Sequence, residues 1–386
     1  MKILIAPDSF KGSLSAIEVA NSIERGILKV LPNAQITKIQ MADGGEGTME
    51  AMLFAKGGTK ITAEVHDPLG RKIEASYALL ATEPTAVIEM AASSGLPLLS
   101  PAERNPLLTS TYGTGELISK ALAGFSGEKA AKIIVCIGGS ATNDGGAGML
   151  QALGVRFLNR FGEEINVSGG NLKEISEIDV SKQLLMNHCE LIVACDVENP
   201  LLGTSGASAI FSPQKGATPD MVKILEENLT HFAEIVESSF PDLRGLHTKQ
   251  GTGAAGGLGY GMMAFLDAKM QKGIDMVLEI MQLENILKDF SAQNRDLVIT
   301  GEGAMDYQTI FGKVPFGVAK VAKKQQINVI GIAGTLGKDY QTLYQYGFDS
   351  LFSITDKPMT LQEAIDNAET LLESIAERVI RLYAKY

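Results

Sequence analysis

The sequence predicts an α/β protein: an open, doubly wound parallel sheet of the flavodoxin or Rossmann kind, with a second α/β domain inserted into it. Three observations predict this. Short apolar runs alternate with helix-period segments at both ends of the chain, the pattern of parallel strands joined by helical crossovers. A length of 386 residues suits two domains. Glycine supplies 41 residues, more than a tenth, against a usual share of about 7%, and it gathers in acidic turns behind the apolar runs.

The first run, residues 2–6, suits a buried strand, and Ser15-x-x-Glu18 is a capping box for the helix that follows. Val19, Ala20, Ile23, Ile27 and Val30 recur at helical spacing until Pro32 stops them. Residues 35–40 complete a β-α-β opening. Near the other end, residues 296–300, 328–333 and 350–354 are short and β-rich, with helices expected over 315–324, about 340–346 and 360–382. Between them, 60–66 and 72–80 flank the turn Asp67-Pro68-Leu69-Gly70-Arg71 and read as a hairpin. Residues 86–90, 132–137 and 190–194 add strands, and 115–123, 146–153 and 219–237 add helices. The first domain is therefore expected over residues 1–60 and 290–386, and the inserted one over 61–289.

Composition excludes several classes of function. Forty-five acids against 34 Lys and Arg give a net charge of −11, which argues against a nucleic-acid partner, since phosphate-backbone binding needs a basic face. No run reaches the roughly 18 apolar residues of a membrane span, and the amino-terminal apolar run is too short for a signal peptide. A cytoplasmic protein is expected. Cys136, Cys189 and Cys195 show neither paired-cysteine spacing nor an even count, and His66, His188, His231 and His247 lack metal-ligand spacing.

The chemistry concentrates in four glycine-rich segments. Asp8-Ser9-Phe10-Lys11-Gly12-Ser13 follows the first strand and Asp43-Gly44-Gly45-Glu46-Gly47-Thr48 the second; Gly138 to Gly148 follows residues 132–137, and Thr300-Gly301-Glu302-Gly303 follows 296–299. All four are expected where parallel strands end, the usual location of a site in such sheets. Glycine lets backbone N–H groups converge on phosphate oxygens, and scattered carboxylates suit Mg²⁺, which takes one or two of them with phosphate and water. The same glycines and acids also serve plain turns and helix caps. No P-loop occurs. Gly251-x-Gly253-x-x-Gly256 matches the dinucleotide pattern but follows a polar stretch instead of a strand, so a nicotinamide site is rejected there. Lys11, Lys313, Arg71 and Arg104 are the basic residues able to meet phosphate or a substrate carboxylate.

Taken together these segments resemble the glycerate kinase family. The resemblance runs through nearly the whole chain: Ala6 to Leu14, Asp43 to Thr48, Ile137 to Gly146, Ala194-Cys195-Asp196-Val197-Glu198-Asn199-Pro200-Leu201, Phe211 to Ala217, Gly253 to Gly257 and Thr300 to Gly303, all in order. It implies ATP-dependent, Mg²⁺-assisted phosphorylation of D-glycerate, with 2-phosphoglycerate as product, in a two-domain α/β protein whose site lies in the cleft between the domains. One departure is Ala304, where related sequences tend to have Arg.

On that reading Lys11 and the segment Gly138, Gly139, Ser140, Asn143, Gly145 and Gly146 meet phosphate, together with Lys313. Asp8 or Asp196 accepts the proton, and Asp43, Glu302 or Asp306 holds magnesium. Ser9, Lys11 and Arg104 are the candidates for the glycerate carboxylate. Two rivals are a glycerate or hydroxypyruvate oxidoreductase and a glycerate-binding regulator without turnover. The sequence is compatible with a homo-oligomer.

Overall fold

A computed structural model describes residues 1–125, 131–184 and 189–384; His188 lies outside them. Its strands are β1 (Lys2–Ile5), β2 (Gln35–Lys38), β3 (Gly58–His66), β4 (Lys72–Leu80), β5 (Thr85–Glu89), β6 (Ala131–Cys136), β7 (Arg156–Leu158), β8 (Glu177–Asp179), β9 (Cys189–Ala194), β10 (Lys269–Gln271), β11 (Leu297–Met305), β12 (Asn328–Leu336) and β13 (Ser350–Ser353). The chain divides into two compact units: Met1–Asp43 with Glu50–Ala55 and Lys272–Tyr386, and Gly44–Met49 with Lys56–Gln271. The second boundary stands at Lys272, earlier than residue 290, because helix Gly273–Ile280 packs through Ile274 on Gly317 of helix Val314–Lys324.

The first unit is an all-parallel sheet in the order β13-β12-β11-β1-β2. From β1 the chain moves one way to β2, then returns on the other side of β1 as β11, β12 and β13. The direction of winding therefore reverses between β1 and β11, and at such a switch point the crevice beyond the carboxyl ends of the strands is open to a ligand. Ile3, Ile5, Leu297, Ile299, Ile330 and Ile332 of the sheet are buried against Val19, Ile23 and Ile27 of helix Ala16–Leu28 and against Leu372, Ile375 and Val379 of helix Ala368–Tyr383. The capping box forms as the sequence requires, with Ser15 N and Oγ donating to Glu18 Oε2 at 2.8 and 2.7 Å. The expected helix over 360–382 is two helices, Leu361–Asp366 and Ala368–Tyr383, broken at Asn367.

One expectation is corrected here. Thr300, Gly301, Glu302 and Gly303 do not follow a strand: β11 continues through them to Met305, pairing Gly301 with Ile332 and Glu302 with Ala333. The reason is close approach. A Cβ on Gly301 would lie 1.8 Å from Ile332 O, so glycine here admits the neighbouring strand instead of making a turn. Gly301→Ala is expected to cost about 2–4 kcal/mol, as backbone overpacking does at its upper range, measured by urea unfolding.

The second unit carries a mixed sheet, β10-β9-β6-β5-β4-β3, parallel from β10 to β5 and antiparallel from there outward. Ile88, Ile133, Val135 and Val193 form its core with Leu117 and Ile118 of helix Tyr112–Gly124, Phe232 and Val236 of helix Pro219–Ser239, and Leu258 and Met262 of helix Ala254–Leu266. The hairpin turn between β3 and β4 is held by Asp67, whose Oδ1 accepts from Leu69 N and Arg71 N, both at 2.9 Å. β7 and β8 form a separate two-stranded pair. No helix among the described residues is long and apolar enough to cross a membrane.

Candidate active site

In the first unit the switch point between β1 and β11 is lined with acids. Register carries Ile5 opposite Ile299, and just beyond the paired residues Asp8 N donates to Gly301 O at 2.8 Å while Thr300 Oγ1 donates to Ala6 O at 2.7 Å. Asp8 is thus fixed level with Glu302, and Asp43 follows the strand on its other side, close enough for its charge to act on Asp8. Burial first, then the Asp43 and Glu302 carboxylates, push the Asp8 carboxyl up to about 7, against the Ser9 N–H that donates to Asp8 Oδ1 at 2.6 Å. A half-buried carboxylate that changes charge near neutral pH is matched to accepting a proton there.

Glu302 is buried, and burial raises its pKa. Two contacts oppose that: Thr309 Oγ1 donates to Oε1 at 2.8 Å and Lys313 Nζ meets Oε2 at 2.9 Å. Lys313 stands at the start of helix Val314–Lys324, so the structure joins the predicted metal ligand Glu302 to the predicted phosphate ligand Lys313. Asp306 takes the other role open to it, capping the three-ten turn Tyr307–Ile310 by accepting from Gln308 N at 2.7 Å. Lys11 is exposed and Ser9 half-buried.

Among the described residues no three His, Cys, Asp or Glu side chains converge to hold a metal on protein ligands alone. Mg²⁺ does not require such a set. Both oxygens of Glu302 already accept hydrogen bonds, so Glu302 through water, with the Asp43 carboxylate whose charge acts on it, is the donor set that fits Mg²⁺.

In the second unit, the segments after β6 and β9 emerge side by side, since Cys136 pairs with Ala194. This places Gly138 and Asp196 at one edge of the sheet, Gly138 and Gly139 exposed and Asp196 half-buried. The rest of the glycine segment turns inward. Asn143, Gly145 and Gly146 are buried; Gly145 N donates to Gly256 O at 3.0 Å, Gly146 N to Asp144 Oδ1 at 3.2 Å, and Asn143 Nδ2 to Ser208 Oγ at 3.3 Å. Those donors are occupied, which leaves Gly138 and Gly139 as the part of the segment facing solvent. Gly256 belongs to the same packing: at φ +72 its Cβ position would fall 2.0 Å from Thr142 O. The dinucleotide-like glycines thus serve backbone contact, in keeping with the rejection of a nicotinamide site.

Arg71 is taken up by the hairpin, its Nε on Asp67 Oδ2 at 2.5 Å and Nη1 on Glu103 Oε1 at 2.6 Å. Arg104 is different. It is half-buried, and its Nε is enclosed with no hydrogen-bond partner. Sequence reasoning missed Lys215, which is 1% exposed and donates to Ser140 Oγ at 2.6 Å and Thr142 O at 2.5 Å. Its segment, Phe211 to Ala217, carries part of the resemblance, but no spacing rule marks a lysine for burial.

Comparison with known proteins gives one answer. The profile of the "Glycerate kinase family" matches residues 3–384. The chain is 49% identical over 381 residues to the "Glycerate kinase" of Bacillus subtilis, covering 98% of this chain and 97% of that one. It is 49% identical over 370 residues to the "Glycerate 2-kinase" of Escherichia coli, covering 95% and 94%. A crystal structure of a Salmonella typhimurium protein assigned as glycerate kinase 2 superposes with a TM-score of 0.85 at 46% identity, covering 100% of this chain and 98% of that one.

Proposed function

Because the chain belongs to the glycerate kinase family, we propose that it transfers the γ-phosphoryl group of ATP to the 2-hydroxyl of D-glycerate, with Mg²⁺, as a cytoplasmic enzyme. The observation that carries the mechanism is Asp8, a carboxyl at the winding reversal of the sheet brought to neutrality by burial and two neighbouring acids. The name of the Escherichia coli relative supports the 2-hydroxyl as acceptor.

Phosphoryl transfer asks little covalent chemistry of a protein; positioning and charge neutralisation do most of the work. Asp8 accepts the proton of the attacking hydroxyl. Lys313, held by Glu302, supplies positive charge to the phosphates, and the exposed Gly138–Gly139 backbone offers N–H groups to them. Arg104 takes the glycerate carboxylate. Asp43 and Glu302 are the residues that would hold Mg²⁺, whose charge neutralises phosphate oxygens when it is bound.

ADP release is the test, measured with D-glycerate, with L-glycerate and without acceptor, followed by enolase. D-glycerate should elicit release, EDTA should abolish it, and enolase should convert the product without a mutase. Absence of acceptor-dependent ADP release would falsify the reading. A product that enolase ignores until a mutase is added moves the phosphate to the 3-hydroxyl.

A further inference from the structure

Among the described residues Lys215 is the one Lys or Arg that is fully buried. An ammonium ion taken out of water is costly unless an anion or a full set of acceptors meets it. Here its two hydrogen-bond acceptors are neutral, Ser140 Oγ and the Thr142 carbonyl. Asp144 acts on it only through its charge, while burial draws the amine down to about 7. Lys215 therefore has one N–H left over.

Two further donors are in the same condition. The Ser140 hydroxyl accepts from Lys215, so its own proton points to another acceptor, and no described group takes it. Arg104 Nε is enclosed without a partner. Arg104 and Lys215 are brought together by Gly216, at φ +95, where a Cβ would lie 2.2 Å from Arg104 O. Any other residue there would push the two segments apart. Ser140 itself directly follows the exposed Gly138 and Gly139. Ser140 Oγ and Lys215 Nζ, 2.6 Å apart beside the solvent-facing end of a loop, thus carry two unmatched donors, the pairing that an anionic oxygen satisfies.

We propose that Lys215 is a positioning residue for anion binding: it holds Ser140 Oγ with its proton available, so that Ser140 receives an anionic oxygen of the substrate carboxylate or of a nucleotide phosphate. The inference rests on the kinase reading and names the subsite that reading needs in the second unit. A purely structural Lys215 would tie Ser140 to Thr142 and affect folding alone. A positioning Lys215 changes affinity for one anion, and acts through Ser140.

Steady-state kinetics on the full chain, varying D-glycerate and ATP separately, distinguish these. Ser140→Ala and Lys215→Met should each raise KM for one of the two substrates at least tenfold, with kcat within threefold. The double variant should be no worse than the poorer single one, and Ser140→Thr, which keeps the hydroxyl, should stay within threefold of wild type. A rise in KM for D-glycerate assigns the site to the carboxylate; a rise for ATP assigns it to phosphate. Unchanged KM values in a folded Ser140→Ala variant overturn the proposal, as do single effects that multiply in the double variant. Should Lys215→Met fail to fold, the contrast between Ser140→Ala and Ser140→Thr decides alone. If wild type releases no ADP, the kinase reading fails by itself. The anion site is then judged by whether inorganic phosphate or D-glycerate raises Tm of wild type but not of Ser140→Ala; no rise with either overturns it.

Discussion

Asp8→Asn is expected to lower kcat by about 10²–10⁴-fold, the usual contribution of a positioned general base, and to raise the stability of the metal-free protein at pH 8. Both follow from one fact, that folding moves the carboxyl from its ordinary 3.8 to about 7. Between these values the folded protein keeps a proton that the unfolded chain has lost. Stability therefore falls as pH rises through that window, and the cost is complete above pH 7. Asn carries no such charge and escapes it. The gain at pH 8 is on the order of 2 kcal/mol, taking about half of the full shift because the side chain is partly exposed. At pH 3.5 the two proteins should unfold at nearly the same temperature. For wild type, kcat/KM should fall toward acid pH as the base becomes protonated, with its midpoint below 7 because bound Mg²⁺ offsets the repulsion of Asp43 and Glu302. Thermal unfolding and pH-rate profiles check the two halves separately. An active Asp8→Asn enzyme with an unchanged profile would transfer the role of base to Asp196.

Asp144→Ala is expected to lose about 3–5 kcal/mol, the range for stripping a buried charged hydrogen-bonding group from its partners. The Asp144 carboxylate is fully buried and accepts from Thr111 N at 2.7 Å, Thr111 Oγ1 at 2.8 Å, and Gly146 N and Gly148 N at 3.2 Å. It joins the start of helix Tyr112–Gly124 to the start of helix Ala147–Ala152. Alanine leaves buried N–H groups without acceptors at both ends of that link. Asp144→Asn keeps one oxygen and should lose less. Urea unfolding measures both; a loss below 1 kcal/mol for Ala would show that water replaces the carboxylate. Asp144 thus serves the frame that carries Gly138 and Ser140, although its sequence surroundings resemble those of the reacting acids.

Local patterning made the elements legible. The capping box at Ser15, the turn at Asp67 and the apolar runs each act within a few residues of themselves, so adjacent sequence is sufficient to read them; the first helix ends at Leu28, short of Val30 and Pro32. The long-range consequences were hidden. Gly301 looked like a turn glycine because nothing nearby in sequence shows that Ile332 O lies against it. Asn143, Gly145 and Gly146 looked like a phosphate cradle, but their donors are occupied by Ser208, Gly256 and Asp144. Glu302 and Lys313, eleven residues apart, were separate candidates until the fold paired them.

Residue order alone makes this chain an α/β protein with glycine-rich, acidic segments around its strands and the motifs of one kinase family. Propensity, periodicity and motif identity reside in the residues themselves. Folding sets which acid is brought near neutrality, which glycines face solvent, and that Lys215 is enclosed beside Ser140. Burial, the charge of neighbours and the fate of each donor depend on residues distant in sequence, and these set the chemistry of Asp8, Glu302 and Lys215.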